Sequence, residues 1–197
     1  MTTLLPGELA WYATGRLYRT TDHLLADYGY FLHLPFLDGS LFEGPSSEAT
    51  AHFTFAAQPF KAPDLSNGAL ALGLDPVGQF SLYFQRRPAG TFEDPASFAL
   101  GDCIATFRRT SLVVSTTVDA SIGKATGGAV GTNVFSARLV SSAPFDFDGS
   151  RHDLAHHLAP GITQFGTAAA KPIDPPPPGY DLVLPFTGSA ITLGRAG

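Results

Sequence analysis

Along most of this chain apolar and polar residues alternate in short runs, and the runs are rich in aromatic side chains. Residues 49–56 set Ala51, Phe53 and Phe55 on one side and Thr50, His52 and Thr54 on the other. Residues 79–85 repeat the pattern, with Phe80, Leu82 and Phe84 opposite Ser81 and Tyr83. Period-two alternation suits a half-buried strand, because successive side chains leave opposite faces of the backbone. Residues 28–36 are apolar on both faces, which predicts a strand covered on both sides. Gly, Pro, Asp and Ser separate the runs every ten to twenty residues, and such clusters make turns.

Further strands are expected at 9–19, 69–74, 98–108, 111–119, 133–140, 162–168, 180–186 and 190–193. Thr14-Gly15 reads as a bulge or sharp coil inside the first of these. Asp75-Pro76-Val77-Gly78 reads as the turn of a hairpin joining 69–74 to 79–85, and 98–108 with 111–119 reads as a second hairpin. Residues 123–131, rich in Gly, Ala and Thr, read as a long loop. The one helix expected spans 151–158, between Asp148-Gly149-Ser150 and Pro160-Gly161. Ser150 and Asp153 have the spacing of a capping box at its start.

The pattern therefore predicts an all-β protein of about ten to twelve strands, a single antiparallel β-barrel, closed or nearly closed, with one short helix. A two-sheet sandwich is the alternative. Closure is favoured because it removes the edges that such apolar strands would otherwise expose. The expected organisation is a barrel over 1–170, a Pro-rich extended linker over 171–179, and a strand pair over 180–197 that packs on the barrel or on a neighbouring subunit.

Composition narrows the classes of function. The chain has 197 residues, only 15% of them charged, and Arg outnumbers Lys nine to three. Sparse charge with scarce Lys is what subunit interfaces show, so a homo-oligomer is expected. A formal net charge of −5 with no basic cluster beyond two Arg doublets argues against nucleic acid. No run approaches the eighteen apolar residues of a spanning helix, and no secretory leader is recognisable, so the expected compartment is the cytoplasm. A single cysteine, Cys103, excludes an intrachain disulfide. It shares a face with Ala105 and Phe107, and reads as a small buried filler.

Candidate chemistry is thin. His152 and His156 stand at the i, i+4 spacing that grips zinc on a helix, but Asp153 replaces the catalytic Glu and no third ligand follows. No metal or other cofactor is expected. Glu93, in the turn-rich loop 88–95, could serve as an acid or base at a barrel mouth, as could His33 or His52. Tyr30, His33, Tyr83 and Arg108 could orient a ligand, the tyrosines and histidine by hydrogen bonds and Arg108 by meeting a carboxylate at the rim. Tyr30 and His33 face opposite ways, so at most one lines a given cavity. The leading expectation is binding of an apolar small molecule, lipid-like, terpenoid or aromatic, inside the barrel. The alternatives are a cofactor-independent isomerase, cyclase or hydratase in the same cavity, and a non-catalytic structural or assembly protein with a filled core.

Overall fold

The computed structural model describes residues 7–57, 59–61, 65–67, 70–74, 78–118, 129–169 and 171–193. The strands are β1 (Gly7–Thr20), β2 (Leu24–His33), β3 (Phe53–Ala57), β4 (Phe60–Lys61), β5 (Leu65–Asn67), β6 (Leu70–Leu74), β7 (Gln79–Phe84) and β8 (Asp102–Val118). They continue with β9 (Ala129–Ser142), β10 (Phe145–Phe147), β11 (Ser150–His152), β12 (Gly161–Ala168) and β13 (Tyr180–Leu193). A short helix, α1 (Leu154–His157), precedes β12, and a 3-10 turn spans Pro95–Ala99.

The expected barrel is present and closed. Eight strands pair antiparallel in the order β1-β2-β3-β7-β8-β9-β12-β13, and β13 returns to β1. The other strands lie outside this wall. β4 pairs with the start of β2, β5 and β6 extend from the far end of β8, and β10 and β11 form a separate hairpin.

Alternation decides what enters the barrel. On β1, Trp11, Ala13, Gly15 and Leu17 face inward, between outward Tyr12, Thr14, Arg16 and Tyr18. The lower half, at the end where β1 begins, is filled. Phe80 stacks on Phe107 at 5.1 Å, and Trp11 meets Phe31 and Phe107 edge-on at 5.6 and 5.7 Å. Phe53 stacks on Phe84 at 5.1 Å below them. Leu34, Leu37 and Leu41, Phe145 of the small hairpin, and Leu154 and Leu158 around α1 close that end. In this half the phenylalanines are core, in offset and edge contacts of the kind aromatic rings favour.

Two glycines set the wall's shape. Gly15 and Gly29 are paired across β1 and β2. A Cβ on Gly29 would lie 2.2 Å from the Thr14 carbonyl oxygen and 2.7 Å from the Phe55 ring. A Cβ on Gly15 would lie 2.4 Å from the Tyr28 oxygen and 2.9 Å from the same ring. Only residues without side chains let Phe55 lie across both strands. The strand runs through Gly15 without the interruption expected there; its register shifts fall at Leu9/Trp11 and Arg19/Thr20 against β13 and at Tyr12/Ala13 against β2.

Outside the wall, the segment 85–100 covers β1, β2 and β3. Thr54 donates to the Phe98 oxygen at 2.6 Å, Tyr18 to the Phe92 oxygen at 3.2 Å, and buried Gln85 to the Ser97 oxygen at 2.9 Å. Phe92 lies under the Arg16 guanidinium, 4.1 Å from its ring centre. Loop 88–95 therefore covers the side of the barrel, not its mouth.

Several sequence expectations are corrected. The hairpin expected over 98–119 is one strand, β8, which passes through Arg109-Thr110 with a bulge. No glycine or proline stands there to turn the chain, and each half of β8 has its own partner, β7 below and β6 above. β6 and β7 lie end to end along β8 and do not pair with each other; their expected turn, 75–77, is outside the described residues. Most of the expected loop 123–131 also falls outside them. The strand pair expected after residue 180 is the single strand β13, seated between β1 and β12, so this segment belongs to the barrel wall. Its connection is held by Ile173 N–H donating to the Val183 oxygen at 2.9 Å. The helix expected over 151–158 keeps only Leu154–His157. Residues 150–152 pair as a strand with 145–147, and Asp153 itself caps the helix, accepting from Ala155 N–H at 2.9 Å.

Candidate functional site

Above the aromatic fill, the interior becomes polar. Arg109 follows Phe107 on the inward face of β8, and the bulge between Arg109 and Ser111 then returns Leu112 to that face. Arg109 is 2% exposed, and its guanidinium lies 4.7 to 5.3 Å from the ring centres of Phe60, Phe135 and Phe80. From β2, Asp27 points inward by the same alternation that carries Leu25, Gly29 and Phe31. Arg109 Nη2 donates to Asp27 Oδ2 at 2.7 Å. This is a buried ion pair inside an aromatic barrel.

The pair is incompletely answered. Among the described residues, Arg109 Nε and Nη1 have no hydrogen-bond partner, and neither does Asn133 Oδ1 on β9. Asn133 occupies the space left by Gly166 on β12, where a Cβ would lie 2.5 Å from Asn133 Oδ1. Gln164, one inward position below Gly166, accepts from Trp11 Nε1 at 3.0 Å through its Oε1. These side chains and the surrounding phenylalanines enclose about 20 Å³ of free space, room for about one water molecule or one ligand oxygen. Leu17, Leu25 and Ala168, partly buried, stand above it toward the upper end.

Burial is the dominant influence on the Asp27 carboxyl and pushes it above the ordinary carboxylate range, while the charge and hydrogen bond of Arg109 pull it back. Burial also works against the Arg109 charge, which Asp27 supports. The guanidinium keeps its proton, since its ordinary value lies far above neutrality. The arrangement holds a fixed cation, a proton-accepting carboxyl and an amide around one small space with apolar walls.

None of the candidate catalytic, ligand-binding or metal residues named from the sequence lines this space. Tyr30 lies outside the wall, edge-on to Phe42 at 6.1 Å, and burial raises its hydroxyl pKa. Tyr83 is also on the outer face, its hydroxyl raised by burial and then by Cys103. His33 is exposed at the end of β2. His52 Nδ1 donates to the Gln85 oxygen at 2.9 Å, outside the barrel. Arg108 is exposed on the outer face, one residue from the arginine that turns inward. Glu93 is exposed, and a hydrogen bond from Thr91 Oγ1 holds its carboxyl below the ordinary range. Cys103 is exposed and not the buried filler expected, because a register shift beside Tyr83 breaks its parity with Ala105.

His152 and His156 do not share a helix face, since His152 belongs to β11. His152 Nδ1 instead lies 3.4 Å from His157 Nε2, with Phe145 stacked on the first ring and Phe36 on the second. Among the described residues no group of three or more His, Cys, Asp or Glu is placed to hold a metal ion. Nor, among them, is any helix long and apolar enough to cross a membrane.

Fold and site together define an eight-stranded antiparallel β-barrel with a filled lower half and a buried ion pair near its upper end. No protein-family model matches the chain, and no curated protein or solved structure matches it either.

Proposed function

We propose that the barrel binds an apolar small molecule at its upper end and orients it through the Arg109–Asp27 pair. The observation that carries this reading is the two guanidinium nitrogens of Arg109, Nε and Nη1, that lack a partner among the described residues and are buried beside a small cavity. Buried polar groups are almost always satisfied, and a buried ion pair adds little stability over apolar packing of the same volume. A charge kept there with donors to spare suits a ligand that supplies the missing acceptor. Aromatic walls give the apolar contact, and Leu17, Leu25 and Ala168 would carry the ligand's tail across the mouth. Tyr30, His33, Tyr83 and Arg108 have no part in this reading.

Trp11 makes the proposal testable, because it is the only tryptophan and it lines the cavity. Its emission is expected to shift saturably on titration with ten-carbon apolar probes, and native mass spectrometry of freshly purified protein is expected to retain them. Absence of both effects would refute the reading. The same spectrum reports association. Tyr12, Phe165 and Ile191, each 42 to 48% exposed on the outer face of three adjacent wall strands, support a homo-oligomer.

One observation favours a second reading, a cofactor-independent isomerase, cyclase or hydratase. Burial holds the Asp27 carboxyl closer to its protonated form beside the cavity, as an acid–base group requires. Glu93, His33 and His52 would not contribute, since none reaches that space. Turnover of a bound probe that Asp27→Asn abolishes without weakening binding would distinguish catalysis from simple binding.

A further inference from the structure

The groups left unanswered in the cavity specify more than the presence of a ligand. Arg109 Nε and Nη1 can only donate, and Asn133 Oδ1 can only accept. Among the described residues, Arg109 and Asp27 are the only charged side chains lining the space, and at 2.7 Å they form an ion pair. A ligand carboxylate would bring a third charge into a low-dielectric interior, beside an existing carboxylate and without a cation of its own. An ammonium would meet the guanidinium with like charge. A ketone or ether would answer Arg109 but leave Asn133 Oδ1 without a donor. A hydroxyl answers both, accepting from Arg109 and donating to Asn133. The free space of about 20 Å³ matches a single oxygen.

We propose that this cavity is a head-group site for one neutral hydroxyl, so that the ligand class is an apolar alcohol and not a carboxylic acid. The inference rests on the binding reading above and names the chemistry of that same site. A water molecule offers the same donor and acceptor, so the test must separate a ligand hydroxyl from a retained water.

The test uses the full chain and four straight-chain probes of equal length: decane, 1-decanol, 2-decanone and decanoate, at pH 8, followed by Trp11 emission. Two hydrogen bonds to buried groups predict 1-decanol binding about tenfold tighter than decane, with 2-decanone between them. Decanoate is expected to bind at least tenfold more weakly than 1-decanol. Asn133→Leu, which leaves the ion pair intact, is expected to bring 1-decanol to the affinity of 2-decanone while leaving 2-decanone unchanged. Equal binding of decane and 1-decanol would mean that a water keeps the site, and would overturn the assignment. Tightest binding by decanoate would overturn it too, while leaving the binding reading intact. If no probe moves Trp11 emission or is retained in native mass spectrometry, the binding reading itself fails. The ranking in the unmodified protein decides the matter even if Asn133→Leu folds poorly.

Discussion

The two halves of the buried ion pair should fail in different ways when separated. Removing Arg109 by Arg109→Met leaves Asp27 alone among aromatic rings, but a carboxylate can escape by taking a proton. Removing Asp27 by Asp27→Leu strands a guanidinium that cannot lose one. In the first variant, holding Asp27 protonated costs about 1.4 kcal/mol for each pH unit above an ordinary carboxylate value of about 3.9. The penalty is therefore about 1.5 kcal/mol at pH 5 and about 4 kcal/mol at pH 7. A raised native pKa means that the native state binds more protons than the unfolded chain. Stability is therefore full below the ordinary carboxylate value and falls as pH rises toward the raised native one. The unmodified protein shares this direction but levels off earlier, because Arg109 pulls the Asp27 value down. Asp27→Leu should instead lose about 3–5 kcal/mol with little dependence on pH in this window.

Urea unfolding followed by Trp11 emission at pH 5, 6 and 7 measures all of these quantities. The double variant Asp27→Leu/Arg109→Met replaces the pair by apolar groups and should lie within about 2 kcal/mol of the unmodified protein. Parallel pH profiles for the unmodified protein and Arg109→Met would refute the burial argument. A double variant that loses the sum of the two single losses would refute the coupling.

The close glycine pair predicts that Gly29→Ala destabilises by about 1–3 kcal/mol or more, because the added carbon meets the Thr14 carbonyl oxygen and the Phe55 ring; urea midpoints check this. Tyr18→Phe removes the donor to the Phe92 oxygen and should cost about 1 kcal/mol, with faster proteolysis within 85–95. No change in cleavage rate would mean that the segment is held without Tyr18. His157 titrates below the ordinary histidine value, first through burial and then through the charges of His152 and His156. Its depressed value gives stability that is present above the ordinary histidine value and lost as pH falls through the native one. His152→Ala should raise the His157 value in an NMR titration, and an unmoved His157 would show that burial alone sets it.

The architecture was legible because alternation is a local signal. Phe53 and Phe55, and Phe80, Leu82 and Phe84, enter the core as their spacing predicts. The strand partners were not legible, because β8 pairs with β7, β6 and β9 at once, and nothing in 98–119 announces a third neighbour. The site was within reach of the same signal. Counting in steps of two from Phe31 reaches Gly29, Asp27 and Leu25, and from Phe107 it reaches Arg109. Ending the expected strand at Arg108 concealed the inward arginine, because a doublet at a supposed hairpin corner reads as surface. Local reading also failed at Cys103, where a register shift changed the parity. Which orphaned atoms share a cavity depends on β2, β8 and β9 meeting across the barrel, and no local pattern records that.

The double variant also separates what the ion pair does for the fold from what it does for a ligand. If the pair were only structural, an apolar replacement that keeps the barrel intact would leave nothing else to lose. If it is a binding device, the same protein should fold as well as before, yet bind 1-decanol no better than decane. Stability retained with discrimination lost is the trade expected where a functional site is kept against the preference of the core. The filled lower half supports that separation, with Phe80 the one ring of its central cluster that also meets the Arg109 guanidinium. Trp11, Phe31, Phe80 and Phe107 hold the barrel closed by contacts among themselves, without hydrogen bonds to Asp27 or Arg109. The aromatic half can therefore keep its shape while the polar layer above it is replaced, and a change in head-group preference can be assigned to that layer.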